Sequence, residues 1–308
     1  MGGGVINTGS NPKLLWPGLN IIFGIAYKEH ELTYPKLFTE VKSDKNYEEY
    51  VGYVGLGLAQ FKGQGQPIAF DSMQQGFTTR LTNATYALGY ACTEEEIDDN
   101  LYDKISKGRT RALAFSMRQA HELNAHLVYN RAFTAAYVGA DSVCLCSTAH
   151  LSPSGLTYAN RPTTAADLSE VSLEDALVAI KGFTDDKGLL INVTARKLVV
   201  ARQDWYNALR LTKSVYQPGT ANNDVNATKW DNALPEGCMQ SVYLTNPHFW
   251  YILTDAGGEG RGLIHQTRKA LSFFNDNDFT TRNMMAASSE RYAVGWDNPR
   301  AIWGNPGP

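Results

Sequence analysis

Residues 93–137, TEEEIDDNLYDKISKGRTRALAFSMRQAHELNAHLVYNRAFTAAY, constrain the fold more than any other stretch, because they read as one long amphipathic helix. Thr93 and Glu96 stand in capping-box positions, and Glu94, Glu95, Asp98 and Asp99 place negative charge at the positive end of the helix dipole. Ile97, Leu101, Ile105, Ala112, Phe115, Leu123 and Leu127 recur near three- and four-residue spacing, and Gly139 stops the pattern. Gly108 is a candidate kink. Unbroken, the helix would span roughly 65 Å at 1.5 Å per residue. That exceeds what a compact globule of this size needs and predicts a spine.

The flanking segments add outreaching parts. Residues 1–45 carry scattered apolar positions (Leu14, Leu15, Trp16, Ile21, Ile22, Phe23) without a sustained period, so they read as an extended arm with one short helix. The spacing Tyr47, Tyr50, Tyr53 fits either one helical turn or an aromatic patch. From Val54 to Ala91 the pattern becomes alternating. GLGLAQFKGQGQPIAF leads into a Gly/Gln/Pro turn, and FTTRLTNATYALGYA returns with β-branched and aromatic residues at period two. This predicts a long hairpin with its tip at Lys62, Gly63, Gln64, Gly65, Gln66 and Pro67. Isolated two-stranded ribbons are marginal in water, so the hairpin must lie on something.

Beyond a polar loop (141–167) the chain reads as mixed α/β. A helix is capped by Ser172, with Gly188 ending the turn after it. Leu189–Val200 reads as a strand with a polar break, Gln203–Ser214 as a helix, Ser241–Thr245 as a strand and Pro247–Thr254 as a short helix. A long strand, Asn283–Trp296, and a short one, Arg300–Trp303, close the chain.

Composition narrows the function. With 43% apolar and 19% charged residues, the chain has enough buriable surface to exclude global disorder. No window approaches the ~20 uninterrupted apolar residues of a membrane helix, and no signal sequence is visible, so a soluble chain made in the cytoplasm is expected. The charge of −3 lacks the field of a dedicated nucleic-acid binder. Lys104, Lys107, Arg109 and Arg111 read as a solvated or intersubunit helix face.

Catalytic signatures are sparse. Cys144-x-Cys146 with His150 offers three metal ligands or a Cys/His nucleophile pair, but no local fourth ligand, and reads more simply as two small thiols beside a loop histidine. His121 and His126, five apart, do not share a face as an i,i+4 pair would and read as ordinary helix histidines. DAGGEGRG (255–262) lacks the Gly-Lys-Ser/Thr of a phosphate loop and reads as a surface loop. Neither a cofactor nor a metal is expected.

The order arm, hairpin, spine helix and mixed body resembles the major capsid proteins of tailed bacteriophages, the Hong Kong 97-type fold. Several segments strengthen the likeness. LLINVTARKLVVARQDWYNALRLTKSVYQPGTANNDVNAT (189–228) is similar to a recurrent capsid segment, and VYLTNPHFWYILTD (242–255) resembles the strand and aromatic helix that follow it. STAHLSPSG with Tyr158-Ala-Asn160 resembles the linker of Mu-like head subunits, and NMMAASSERYAVGWDNPRAIWGN (283–305) resembles the long P-domain strand and its return.

The resemblance implies an α+β fold divided into an N-arm (1–45), an E-loop hairpin with flanking strands (46–92), a P-domain (93–140 and 266–297) and an A-domain (141–265 and 298–308). It implies a structural, non-enzymatic subunit that assembles into hexamers and pentamers of an icosahedral head enclosing double-stranded DNA, without sequence-specific binding. The head would be part of the virion and assembled in the bacterial host cytoplasm. Implied partners are a separate scaffolding protein and a portal at one vertex, with the presence of a decoration protein left open. Some relatives join a hairpin lysine to a P-domain asparagine with help from a glutamate. Lys62, Asn283 and Glu290 lie in corresponding regions, while Lys62 reads equally as an edge lysine that discourages mispairing. Two other readings stay open: an encapsulin-like protein compartment, and a Cys/His hydrolase built on Cys144 or Cys146 with His150.

Overall fold

The computed structural model describes residues 16–98, 102–217, 224–258, 261–278 and 280–308. The first fifteen residues of the expected arm lie outside the described residues, as do residues 99–101, 218–223, 259–260 and 279.

The spine helix comes in two described pieces, α2 (Glu94–Asp98) and α3 (Tyr102–Asn130), and we number α1 as the earlier helix Trp16–Lys28. The cap at α2 is the expected one: Thr93 N–H donates to Glu96 Oε2 at 3.4 Å, and Glu96 N–H donates to Thr93 Oγ1 at 3.3 Å. Gly108 does not break α3, and the helix ends at Asn130 rather than at Tyr137, because residues 131–137 turn back on themselves. Twenty-nine residues make α3 about 43 Å long.

Its buried face differs from the expected stripe. Leu113/Ala114, Met117/Arg118, His121/Glu122 and Ala125/His126 are buried in successive turns, whereas Phe115 and Leu123 are about half exposed. The side chains of Ile97, Leu101 and Ile105 lie outside the described residues. A three-to-four period marks any apolar face, including one kept for another molecule, so periodicity alone picked the outward side.

One sheet lies against α3. Its strand order is β1 (Thr39–Lys42), β10 (Leu263–Asn277), β11 (Met284–Trp296) and β4 (Ala84–Cys92). The first pair is parallel and the others antiparallel, with Leu263 opposite Trp296 and Met284 opposite Cys92. β11 was expected from Asn283–Trp296; the longer β10 was not, because its second half mixes Leu271, Phe273 and Phe274 with polar residues in no clean alternation and is largely half exposed. Helix α1 covers one end, packing Leu19 and Phe23 onto α3 and Phe273.

The second sheet has the order β12 (Ile302–Asn305), β9 (Trp250–Thr254), β7 (Ala195–Ala201) and β8 (Cys238–Ser241). Its central strands are buried on both faces. Leu198, Val200, Trp250 and Ile252 face the core under α4 (Glu170–Lys181) and α5 (Trp205–Lys213). Val199, Ala201 and Tyr251 face the core shared with Tyr129, Leu145 and Cys146. This double burial explains the continuous apolar run WYILT, which was expected to be helical at 247–254 but is strand β9. The same physics starts β7 only at Ala195, after the polar break, instead of at Leu189. Strand β8 ends where Ser241–Thr245 was expected to begin. The N-cap of α4 is Ser169, and Ser172 is its N3 partner rather than the cap.

A short ribbon, β5 (His150–Leu151) with β6 (Thr157–Tyr158), crosses the 141–167 loop, and the small helix α6 (Ala227–Trp230) follows α5.

Candidate assembly site

The hairpin is built from β2 (Tyr47–Val54) and β3 (Gln74–Thr82), paired antiparallel with Tyr47 opposite Thr82 and Val54 opposite Gln74. Tyr47, Tyr50 and Tyr53 therefore mark a strand, not a helical turn. Pairing is tight where Gly52 faces Gly76: a Cβ on Gly76 would sit 3.0 Å from the Gly52 carbonyl carbon. Beyond Val54 the two limbs continue without ladder bonds through residues 55–73. The tip turns where Gln66 N–H donates to Gly63 O at 3.1 Å, with Gly65 at φ +78°. Lys62, Gln64, Gly65, Gln66 and Pro67 are exposed and Gly63 is half-buried.

This distal segment carries large apolar side chains that the described residues of its own chain leave exposed. Phe61 is 99% exposed, Phe70 95% and Leu58 79%. Large apolar side chains left in solvent on one projecting segment mark an interaction site.

The base, by contrast, is anchored. Arg261 donates from both terminal nitrogens to Val51 O at 3.0 and 2.9 Å, while its Nε pairs with Asp297 Oδ2 at 2.5 Å. Burial pushes the Asp297 carboxyl up, and the Gly262 N–H and Arg261 partly offset this. Tyr50 O–H donates to Gln266 Oε1 at 3.0 Å, and Gln266 Nε2 donates to Asn83 Oδ1 at 2.8 Å. Lys187 reaches the return limb, with Nζ 3.2 Å from Asp71 Oδ2. Hydrogen bonds from Gly57 and Ser72 N–H, together with Lys187, hold the Asp71 carboxyl below its ordinary range. After Asn83 the chain leaves the hairpin and becomes β4 of the first sheet. None of these anchors was visible in the sequence, since Arg261 and Val51 are 210 residues apart.

Lys62, Asn283 and Glu290 are not brought together. Lys62 is at the exposed tip and Asn283 is half-buried at the start of β11, seven residues before Glu290. Seven strand residues put those two roughly 24 Å apart and on opposite faces. Glu290 is only 3% exposed, and its Oε2 lies 2.9 Å from His121 Nδ1. The "ordinary" His121 is thus engaged in the buried interior, as is His126, whose Nδ1 is 2.7 Å from Glu122 O.

The Cys/His set is not arranged for catalysis. His150 Nδ1 is 2.5 Å from Asp141 Oδ2, and Nε2 is 3.1 Å from Asn160 Oδ1, so both ring nitrogens are committed away from the thiols. Burial pushes the Cys146 thiol well up and Cys144 up as well, the opposite of what a nucleophile needs. Asn160 holds this loop: its Nδ2 donates to the carbonyls of Leu145, Pro299 and Ile302 at 2.8, 2.9 and 3.2 Å. Among the described residues no group of His, Cys, Asp or Glu side chains could hold a metal ion, and no helix is long and apolar enough to cross a membrane.

An α+β body of two sheets, a spine helix and an anchored, projecting hairpin is the Hong Kong 97-type capsid fold, and solved structures share it. The chain is similar to a virus-like particle from Pyrococcus furiosus, with TM-score 0.55 and 9% identity over 94% of this chain and 98% of that one. It is similar to the capsid of cyanophage P-SCSP1u, with TM-score 0.55 and 11% identity over 90% and 88%. The mature capsid of bacteriophage PhiM1 gives TM-score 0.52 and 14% identity over 89% and 86%. No curated protein matches the sequence. The family model described as phage capsid protein matches residues 76–305, and the chain belongs to that family. It is a structural capsid protein.

Proposed function

We propose that this chain is the major subunit of an icosahedral head, assembling into hexamers and pentamers that enclose double-stranded DNA. The observation that carries this reading is the hairpin, whose base is fastened by Arg261 and Gln266 while Phe61, Phe70 and Leu58 stand in solvent. A second copy of the chain is the natural cover, because every subunit of a closed ring both offers and receives the same contact. The half-exposed Phe115 and Leu123 on the outer face of α3 supply further apolar surface for neighbours.

In this reading the hairpin is the E-loop and Lys62, Gly63, Gln64, Gly65, Gln66 and Pro67 are its intersubunit tip. The sheet on α3 belongs to the P-domain and the sheet under α4 and α5 to the A-domain. A scaffolding protein would guide assembly, a portal would occupy one vertex, and a decoration protein would bind the outside. The head would form in the bacterial host cytoplasm and persist in the virion. The mild charge of −3 suits a wall that need not grip the packaged DNA. Covalent locking through Lys62, Asn283 and Glu290 would require Glu290 to leave its histidine partner.

Deleting Lys62–Gln66 tests the reading. The subunit should fold with unchanged far-ultraviolet circular dichroism but fail to close shells. Normal particles from the deletion would refute the role given to the hairpin. The likeness to a Pyrococcus furiosus virus-like particle supports a second reading, an encapsulin-like compartment. DNA-filled particles that dock a tail favour the first, and particles loaded with an enzyme cargo the second.

A further inference from the structure

The buried cluster on the inner face of α3 plays no part in the hairpin contacts and calls for its own explanation. His121 Nδ1 lies 2.9 Å from Glu290 Oε2, and its Nε2 lies 2.8 Å from Nε2 of His265 on β10. On the far side of His265, Nδ1 is 3.4 Å from Thr267 Oγ1. Tyr34, in the 3-10 turn Tyr34–Lys36, stacks on His121 at 4.2 Å and packs at a tilt against His265 at 4.6 Å, and Tyr292 stacks on His121 at 4.2 Å. His121, His265 and Glu290 are all at most 5% exposed.

Two imidazole nitrogens 2.8 Å apart can share one hydrogen and no more. With both rings neutral, Thr267 O–H donates to His265 Nδ1, His265 Nε2–H donates to His121 Nε2, and His121 Nδ1–H donates to Glu290. One added proton is accommodated by a tautomer shift. His121 then carries hydrogens on both nitrogens, still donating to Glu290, and His265 accepts at Nε2 while donating from Nδ1 to Thr267. A second added proton sets two N–H groups head to head, and the contact must open.

We propose that the Thr267–His265–His121–Glu290 chain is a proton-operated latch. It fastens α3, β10 and the Tyr34 turn to one another while it carries at most one extra proton, and it releases them when a second arrives.

The surroundings support this assignment. Glu122 of α3 faces the same interior, accepting from Thr33 N–H at 2.5 Å and from the Thr33 hydroxyl, so the segment entering the Tyr34 turn is tied to the helix beside the latch. Arg118 of α3 is the buried cation, against the two carboxylates Glu122 and Glu290, whose Oε1 has no hydrogen-bond partner among the described residues. The other titratable groups facing the cluster are Tyr27 of α1, Glu40 of β1 in register with His265, Tyr86 of β4 and Tyr292 of β11, while His126 of α3 lies beyond them against Glu122. Burial, and then the charge of His121, oppose the second proton and push His265 down to about 3.

The sign follows. Once opened, His265 titrates near its ordinary 6.5, so between 6.5 and about 3 the open form binds more protons than the latched form. The latch is at full strength above pH 6.5 and weakens as pH falls, by up to about tenfold in the opening constant per pH unit.

Hydrogen–deuterium exchange on the full chain, corrected for intrinsic rates, tests this locally and does not depend on shell formation. Between about pH 6.5 and about pH 4.5, segments 118–128 and 263–267 should lose protection together, by up to roughly 100-fold, while β7 and β9 keep theirs. His265→Gln retains a donor and an acceptor but cannot titrate, and should flatten the response. Constant protection in the two segments, loss in step with β7 and β9, or an unchanged response in H265Q would overturn the proposal. If H265Q does not fold, the wild-type profile alone decides.

Discussion

Replacing both Phe61 and Phe70 by Ser isolates the energetic role of the hairpin. The two rings are 99% and 95% exposed in the subunit, so they contribute almost nothing to its own folding. Covered by a neighbour, each ring is worth about 1.5–3 kcal/mol of removed apolar surface. The pair therefore contributes roughly 3–6 kcal/mol per hairpin, or about 10²- to 10⁴-fold in the association constant at 1.4 kcal/mol per decade. Ordering the 55–73 limbs costs part of that gain, so the lower end is the safer expectation. Light scattering against subunit concentration reads the assembly threshold, which should rise by about 100-fold or more. The thermal midpoint of the unassembled subunit should stay within about 2 °C, as for surface changes generally. An unchanged threshold would refute the reasoning, and a large fall in the midpoint would show that the rings belong to the subunit's own core.

Two further outcomes are expected. Asn160→Ala removes three donated bonds, to Leu145, Pro299 and Ile302, and two accepted ones, from Ser147 and His150, at a fully buried position. It should cost about 3–5 kcal/mol in urea unfolding, each abandoned buried partner adding about 1 kcal/mol; a loss below about 1 kcal/mol would contradict the hub role. Denaturing gels of mature particles should show the 34.0 kDa subunit alone, because Glu290 is engaged with His121. A ladder of multiples abolished by Lys62→Arg would establish the crosslink.

Features set by neighbouring residues are legible in the sequence, and features set by distant ones are not. The cap of the spine helix is written in Thr93 and Glu96, three residues apart, and it forms as expected. The tip turn is written in Gly63 to Gln66. The face that α3 buries was not legible, because Phe115 and Leu123 obey helical spacing as well as any core residue, while the interior receives His121, Glu122 and His126. Strand β9 was mistaken for helix because a short apolar run buried on two faces has no period to read. Distance hid the rest: Arg261 meets a carbonyl 210 residues away, and His121 meets partners 144 and 169 residues away. Their side chains carry no local signal, and only the register of β10 with β11 brings them to α3.

The central claim is that this chain builds closed shells. Negative-stain electron microscopy of the purified protein tests it most directly. Closed icosahedral particles of uniform diameter, absent from the Lys62–Gln66 deletion, are the predicted result. Dispersed monomers or small fixed oligomers from both proteins would contradict it.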